Sequence, residues 1–320
     1  TALREILQQR SLKAWPTLDM QYEIDMEAFP PHEGSLPNAY TKTVRITRKN
    51  DKVYYYDTGR TQNPDGTLGS DFERVSAFNG RTAMTRSHAY DNWYLVSARE
   101  DAIAPASSPQ MMSGEAPLLS SLKRHDPEDA QSRHLYQLEE LGDGVIRIEF
   151  LNPKRSQKNT AVVDMAAGGL MKSFISETRT EDDDWQIRWE MEEIKYASLA
   201  DGTLFPIEAI QSTYRDGLLN NRGTLRADVE GIRPNLAAED IPDSLFEILP
   251  EDKSEITVFD IDLRMEVRYP DVDQDHLDEM ITLVSHEIGE VPPSANIQQS
   301  GSSQAPAGDA APNPSATDPA

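Results

Sequence analysis

The chain has 320 residues, and its 55 acidic side chains outnumber 31 basic ones to give a formal net charge of −24. An acidic surface repels phosphate backbones and anionic lipid headgroups, so the composition argues against nucleic acid and against electrostatic membrane docking. The absence of cysteine excludes disulfides, thiolate nucleophiles and cysteine-ligated zinc. No apolar run reaches the roughly 18 residues of a membrane-spanning helix, so no membrane span is expected.

The first segment has the periodicity of an amphipathic helix. Leu3, Ile6 and Leu7 lie on one stripe of residues 2–14, and Pro16 marks the end of the pattern. Because the stripe is apolar, the helix needs a surface to cover.

Residues from Pro16 to about 100 alternate between apolar and polar side chains, which is typical of strands. The runs 44–48 and 53–56 flank Asn50 and Asp51, so they predict a β-hairpin. Further turns are predicted at 63–66, 79–80 and 91–92. Turns at such short intervals leave room for short strands only.

The middle of the chain interrupts this pattern. Residues 101–130 are rich in proline and predict an irregular crossing with a short helix at the apolar run 118–122. A second helix is predicted over residues 128–141. Strands are then predicted at 145–150, 161–164, 170–177, 185–192, 204–214 and 224–230, with turns at 167–169, 201–202 and 220–223.

The clearest strand contains four large apolar residues that alternate with polar ones. A strand places Trp185, Ile187, Trp189 and Met191 on one face, whereas a helix would scatter them. This face either packs against the first helix as ordinary core or lines an apolar cavity, and Trp93 is open to the same two interpretations. The candidate ligand-binding residues are therefore Trp93, Trp185, Ile187, Trp189 and Met191.

The C-terminal part differs in composition from the rest. Residues 272–289 predict a final helix, and residues 292–320 hold almost no apolar bulk and predict a disordered tail. The acidic stretch 271–279 predicts an N-terminal cap for that helix. The alternative is a calcium loop, which would need Gly and Glu where His276 and Thr282 stand.

No signature of catalysis or metal binding is present. His286 lacks the second histidine of a zinc helix, and neither a Gly-x-Ser-x-Gly elbow nor a phosphate-binding glycine loop occurs. We therefore expect a protein that is not an enzyme, with no catalytic residues, no metal ion and no cofactor. A hydrolase of unknown class, with site residues from distant positions, is the remaining alternative.

Three short phrases resemble the outer-membrane lipoprotein-sorting (LolA/LolB-like) superfamily. They are an aromatic-x-Gly turn at 77–81, an Asp-Gly turn with an aromatic-Pro pair at 200–206, and a closing phrase at 243–250 that leads to 258–260. Their order, with the helix, hairpins and crossing, covers residues 1–262. One departure is Glu251, where the superfamily usually has Gly after the proline of the closing phrase.

The resemblance implies an α+β fold of mainly antiparallel β structure. In the superfamily, a curved sheet forms an incomplete barrel, helices lie over its concave face, and the carriers hold acyl chains of lipoproteins there. We expect a LolA-like domain at 1–262, a C-terminal helical extension at 263–291 and a Pro/Ala/Ser-rich tail at 292–320.

The functional expectation follows from the resemblance, although a fold does not by itself fix a function. It is an exported, periplasmic or extracytoplasmic protein of the cell envelope that binds a lipid or an acylated partner without catalysis. The first residue, Thr1, agrees with removal of a signal peptide or with a cut at that point. The alternative is a module for binding another envelope protein, with a core filled by its own side chains.

Overall fold

The computed structural model describes residues 2–29, 39–63, 67–80, 83–87, 92–96, 108–129, 131–152, 156–180, 184–247, 254–260 and 265–272. Within these ranges one sheet carries three short helices. The helices are α1 (Ala2–Gln9), α2 (Pro109–Met112) and α3 (Glu115–Arg124). Single 3-10 turns occur at Leu12–Ala14, Arg133–Leu135, Ala238–Asp240 and Asp243–Phe246.

The described residues form fifteen strands of this sheet. The first run is β1 (Thr17–Ala28), β2 (Ala39–Lys49), β3 (Lys52–Gln62), β4 (Leu68–Phe78), β5 (Ala83–Ser87) and β6 (Asn92–Val96). The second is β7 (Tyr136–Gly142), β8 (Val145–Asn152), β9 (Gln157–Asp164), β10 (Leu170–Arg179), β11 (Trp185–Ser198), β12 (Leu204–Arg215) and β13 (Leu218–Pro234). Last come β14 (Ser254–Asp260) and β15 (Met265–Val272).

The spatial order is β15-β14-β6-β5-β4-β3-β2-β1-β13-β12-β11-β10-β9-β8-β7. Every neighbouring pair is antiparallel except β14 and β6, which are parallel. The two runs of hairpins join where β1 pairs with β13, with Ile24 opposite Leu225. The prediction of a mainly antiparallel fold is confirmed. Between the described strands the sheet is open, with β15 and β7 at its edges.

The local sequence explains the strands. In β1 the buried residues Tyr22 and Ile24 alternate with exposed Gln21, Glu23 and Asp25, which is the period-two pattern of a sheet with one covered face. The predicted hairpin at Asn50 is confirmed, since β2 and β3 are joined by a two-residue turn in which Asn50 has a φ of 55°. Asparagine tolerates this left-handed conformation better than most residues.

The inner face of the sheet, which we define as the face covered by the helices, carries two adjoining apolar clusters. The first contains Met112 of α2 and extends over β1–β3, β12 and β13; it includes Trp15, Leu18, Met20, Tyr22, Ile24, Val44, Ile46, Tyr55, Met112, Phe205, Ala209 and Leu225. The second lies under α1 and α3 and consists of Leu3, Leu7, Leu118, Leu119, Leu122, Ile148, Ala161, Val163, Met171, Phe174 and Met191. Ile194 packs against both clusters, so the core is continuous.

A glycine sets the distance between the helices and the sheet. Gly114 joins α2 to α3 with a φ of 80°, and a Cβ atom at this position would come within 2.7 Å of Cγ of Phe174 in β10. Both the backbone conformation and the close approach therefore require glycine.

Two predictions in the second half of the chain are wrong. The helix predicted at 128–141 is instead the 3-10 turn Arg133–Leu135 followed by β7, an edge strand whose side chains are mostly exposed and so show no burial period. The turn predicted at 220–223 lies inside β13, where Gly223 pairs with Gln211; the chain turns earlier, at Asp216 and Gly217.

The sheet extends past residue 262, because β15 pairs with β14. β15 thus occupies the first part of the range assigned to a C-terminal helical extension. The predicted final helix and the predicted tail lie outside the described residues, as do the turn at 91 and the crossing at 101–107.

Replacing Gly114 by alanine should lower the free energy of unfolding by about 2–4 kcal/mol, from left-handed backbone strain plus overpacking against Phe174. Gly142→Ala is the matched control, because Gly142 has a φ of 95° and nothing within 4 Å of an added Cβ. It should lose only the strain, about 1 kcal/mol. Urea unfolding measures both, and equal losses would contradict the close packing.

Candidate functional site

The predicted apolar row lies in a strand, β11, as expected, but its members do not share one face. Trp189 is opposite Ser176 and Ile187 is opposite Glu177, so Arg188 is an extra residue with no partner in the register. Ser176 and Glu177 are consecutive and point to opposite faces. Their partners Trp189 and Ile187 therefore also point to opposite faces, which is how a β-bulge redirects side chains.

The contacts on the two faces of the sheet agree with this change of side-chain direction between Ile187 and Trp189. Trp189 stacks on the buried ring of Phe174 with 5.1 Å between centroids, on the inner face. Trp185 lies on the outer face, with Nζ of Lys158 at 5.3 Å and Cζ of Arg179 at 6.0 Å from its ring centroid. The single-faced row is thus a wrong prediction.

The candidate ligand-binding residues consequently divide. Met191 is buried under α1 and α3, and Trp189 packs against the same cluster. Ile187 is 36% exposed on the outer face, beside Trp185. Trp93 lies in β6 opposite Arg86, and its side chain is outside the described part of the structure. A ligand contact for any of the five residues stays a prediction.

A buried polar group fastens the helices to the sheet. We call it the clamp: Arg10, which follows α1, Glu115, which begins α3, and Tyr196 in β11. The guanidinium of Arg10 is 3.0 Å from Oε1 of Glu115, and the hydroxyl of Tyr196 donates to the same oxygen at 2.9 Å. The exposures of Arg10 and Glu115 are 4% and 2%, so neither charge is solvated.

Further hydrogen bonds extend the clamp in two directions. Arg10 donates to the carbonyl of Gly169 at 2.6 Å, in the turn before β10. The side chain of Gln110 in α2 donates to the carbonyl of Arg10 at 3.2 Å. All three helices therefore meet at one buried cluster.

The clamp is not fully satisfied. Burial raises the pKa of Glu115 to about 7, against the lowering effect of the Arg10 charge and of the Tyr196 hydrogen bond. Burial, with the nearby charge of Glu115, also raises the pKa of Tyr196. Oε2 of Glu115 and Nε of Arg10 have no hydrogen-bond partner. A buried ion pair with unpaired atoms costs desolvation energy that its attraction only partly offsets.

An apolar cleft opens at the margin of the helices. This edge cleft has a volume of about 160 Å³. Its lining is Leu3, Arg4, Leu122, Asp126, Pro127, Tyr136, Leu138, Ile146 and Ile148. Several of these residues belong to the second apolar cluster or pack against it, so the edge cleft leads directly to the core under α1 and α3.

The outer face carries two larger clefts of about 730 and 740 Å³, both lined in part by Glu23 and Arg226. In the first, Asp19 accepts hydrogen bonds from Arg45 at 2.9 Å, from Thr47 at 3.0 Å and from Arg233. Burial alone would raise the pKa of Asp19, but these hydrogen bonds and the charge of Arg45 lower it overall. Asp19 is therefore a satisfied structural anchor.

The described ranges contain neither a cluster of metal-ligating side chains nor a helix of membrane-spanning length. No group of three or more His, Asp or Glu side chains there is placed to hold a metal ion. No helix among the same residues is long and apolar enough to cross a membrane. Of the acidic stretch considered for calcium, Asp271 belongs to β15 and the residues from 273 onward are not described.

The sequence did not point to the clamp. A glutamate at the first turn of an amphipathic helix normally faces water, where the helix dipole favours its charge. Glu115 is buried because Tyr196, 81 residues later, meets it across the helix–sheet interface. The one local signal is that Glu115 directly follows Gly114 and precedes the apolar residues 116–119, which is consistent with a close approach of helix to sheet.

Comparison with known proteins gives little. No family model matches the chain, and no curated protein is similar to it. Among solved structures, the chain is similar to a porin-like protein from Bacteroides uniformis, with 9% identity, coverage of 65% of this chain and 96% of that one, and a TM-score of 0.26. A likeness this weak carries no argument about function, and the lipoprotein-sorting resemblance stays a prediction.

The clamp predicts a pH dependence of stability. The pKa of Glu115 rises from 4.5 to about 7 on folding, so the folded chain holds this proton more tightly. Its contribution to the unfolding free energy is complete below pH 4.5 and is lost as the pH rises through 7. Against Glu115→Gln, which cannot titrate, wild type should lose about 2–3 kcal/mol over this range.

Urea unfolding of both proteins between pH 4 and pH 8 measures this difference, and Glu115→Gln serves as the control for all other titrating groups. A difference between the two proteins that stays constant with pH would contradict the raised pKa.

Proposed function

We propose that the chain is an exported, non-catalytic binding protein of the LolA/LolB-like kind. It holds an apolar ligand, a lipid or the acyl chain of a lipoprotein, between the helices and the inner face of the sheet. The observation that carries this proposal is the continuous apolar cluster beneath α1 and α3, with the edge cleft at its margin. We call α1 and α3 together the helical cover.

The helical cover is attached in a way that permits separation. Among the described residues, each hydrogen bond between the cover and a strand or its adjoining turn uses a side chain, such as Arg10 to Gly169 or Tyr136 to the carbonyls of Ser121 and His125. Lifting the cover would break no backbone hydrogen bond of the sheet. It would separate the buried ion pair of the clamp from Tyr196.

The size of the edge cleft requires such a movement. Ligand pockets usually hold about 300–1,000 Å³, and the edge cleft offers about 160 Å³. The leucines of the cover each gain about 1.5–3 kcal/mol from burial, and each acyl methylene gains about 0.8 kcal/mol. The free energy gained by burying a long acyl chain is therefore of the same order as the free energy lost when the cover leaves the sheet.

The positions of two of the three family-like phrases support the resemblance. The first phrase ends β4 at Ala77 and Phe78, and the second makes the turn at Asp201 that enters β12. Asp201 also accepts a hydrogen bond from the buried Trp15 at 2.9 Å, so this turn fixes the segment between α1 and β1. An exported location belongs to the same proposal.

The alternative, a module that binds another protein with its core filled, is favoured by a different observation. In the described part of the chain the inner face under the helices is occupied by the protein's own side chains, and the edge cleft beside the cover holds only about 160 Å³. Saturable uptake of a fatty acid distinguishes the two functions.

Delipidated protein should take up a fluorescent fatty acid to saturation. Leu138→Lys should weaken the uptake about tenfold, because the variant places an ammonium group at the apolar entrance. Leu68→Lys in β4 is the matched control, since Leu138 and Leu68 are 71% and 68% exposed and neither change disturbs the core. Fluorescence titration gives the dissociation constants.

Two outcomes would overturn the proposal. The first is an absence of saturable uptake by the wild type, which would leave the protein-binding alternative. The second is an equal loss in both variants, which would show that the fatty acid does not enter at the edge cleft.

A further inference from the structure

β7 ends the sheet on one side and has one described neighbour, β8. Six of its seven residues are exposed, and Leu138 is the most exposed large apolar residue described, at 71%. An edge strand presents a row of free backbone donors and acceptors, which makes it a template for a further strand. Proteins usually protect such edges with charged side chains, proline, a bulge or a covering segment. β7 contains neither proline nor lysine, and its two glutamates and the bulge before Gly142 lie in its second half, which leaves residues 136–138 without these devices.

The edge also offers a side-chain pocket. Tyr136, Leu138 and Glu140 face the same side as Ile146, Ile148 and Phe150, because these residues are directly paired in the register. This side of β7 borders the edge cleft. A cavity of about 150 Å³ lined by apolar side chains accepts a group the size of benzene, so the edge cleft can receive one aliphatic side chain of an added strand.

The charge at the edge is concentrated in the second half of β7. Glu139 and Glu140 are exposed there, and Asp143 follows in the turn to β8. Arg147 neutralises part of this charge through an ion pair of 2.8 Å with Glu139. The cation Arg133 lies before the first residue of β7, at the other end. A strand that binds here is therefore favoured by basic residues opposite 139–143.

Charge also decides between the possible occupants. The residues after Val272 contain no Lys or Arg and several acids, so this part of the chain itself is a poor match. A second copy would bring another acidic β7 and another net charge of −24. The fitting occupant is an extended segment of a different protein with alternating aliphatic and basic side chains.

We infer that β7 binds such a segment by strand addition. Backbone hydrogen bonds to the edge of β7 provide affinity, and an aliphatic side chain in the edge cleft fixes the register. The basic side chains of the added strand then lie on the other side of the sheet, beside Glu139, and provide selectivity. This inference concerns a protein partner and goes beyond the proposed acyl ligand, although the edge cleft contributes to both.

The probe is a labelled peptide of alternating valine and lysine, titrated against the full chain by fluorescence anisotropy. We expect saturable binding and slower hydrogen exchange at β7 amides in the complex. The variant Glu139→Lys should bind about tenfold more weakly. The same peptide with glutamate for lysine, or with N-methylated alternate amides, should not bind. Glu239→Lys, in the exposed turn before Ile241, is the charge-matched control and should bind like the wild type.

Absence of saturable binding overturns the inference. Binding without protection of β7, equal binding of the N-methylated peptide, or equal effects of the two variants would also overturn it, because each indicates general charge attraction. Fatty-acid uptake is measured on the same samples and should be unchanged by Glu139→Lys, because Glu139 lies on the side of β7 away from the edge cleft. A wild type that binds the peptide but takes up no fatty acid would contradict the acyl function alone.

Discussion

The apolar inner face of β8–β11 cannot face water, and its burial under α1 and α3 is the constraint on which the rest of the structure depends. It explains why Gly114 must lack a side chain and why a carboxylate at a helix N-terminus is buried. The clamp of Arg10, Glu115 and Tyr196 fixes where the helices lie on the sheet but adds little free energy, because the desolvation of its charges offsets much of their attraction. The helical cover therefore has a defined position on the sheet and is held there with a modest net free energy.

The bulge at Arg188 determines which residues belong to that covered face. Without the extra residue, Trp185 and Ile187 would join Trp189 under the helices and enlarge the apolar surface to be covered. With it, they lie on the outer face, where Lys158 and Arg179 flank Trp185. On β11 the apolar inner surface therefore begins at Trp189, which packs against the cluster under α1 and α3.

Regular alternation and turn chemistry made much of the fold predictable. The hairpin at Asn50, strands β8–β13 of the second run and the first helix follow from local patterns. Edge strand β7 was not predictable, because a strand with no buried face has no period. The bulge at Arg188 and the clamp depend on partners far away in sequence, such as Glu177 and Tyr196, and a single sequence does not reveal such pairs.

Native-state hydrogen exchange can show whether the helical cover is a separable layer on a stable sheet. We expect amides of α1 and α3 to exchange through an opening of lower free energy than those of β10–β12, and Glu115→Ala to lower only the first of these free energies. Exchange of helices and strands together, through global unfolding alone, would contradict it.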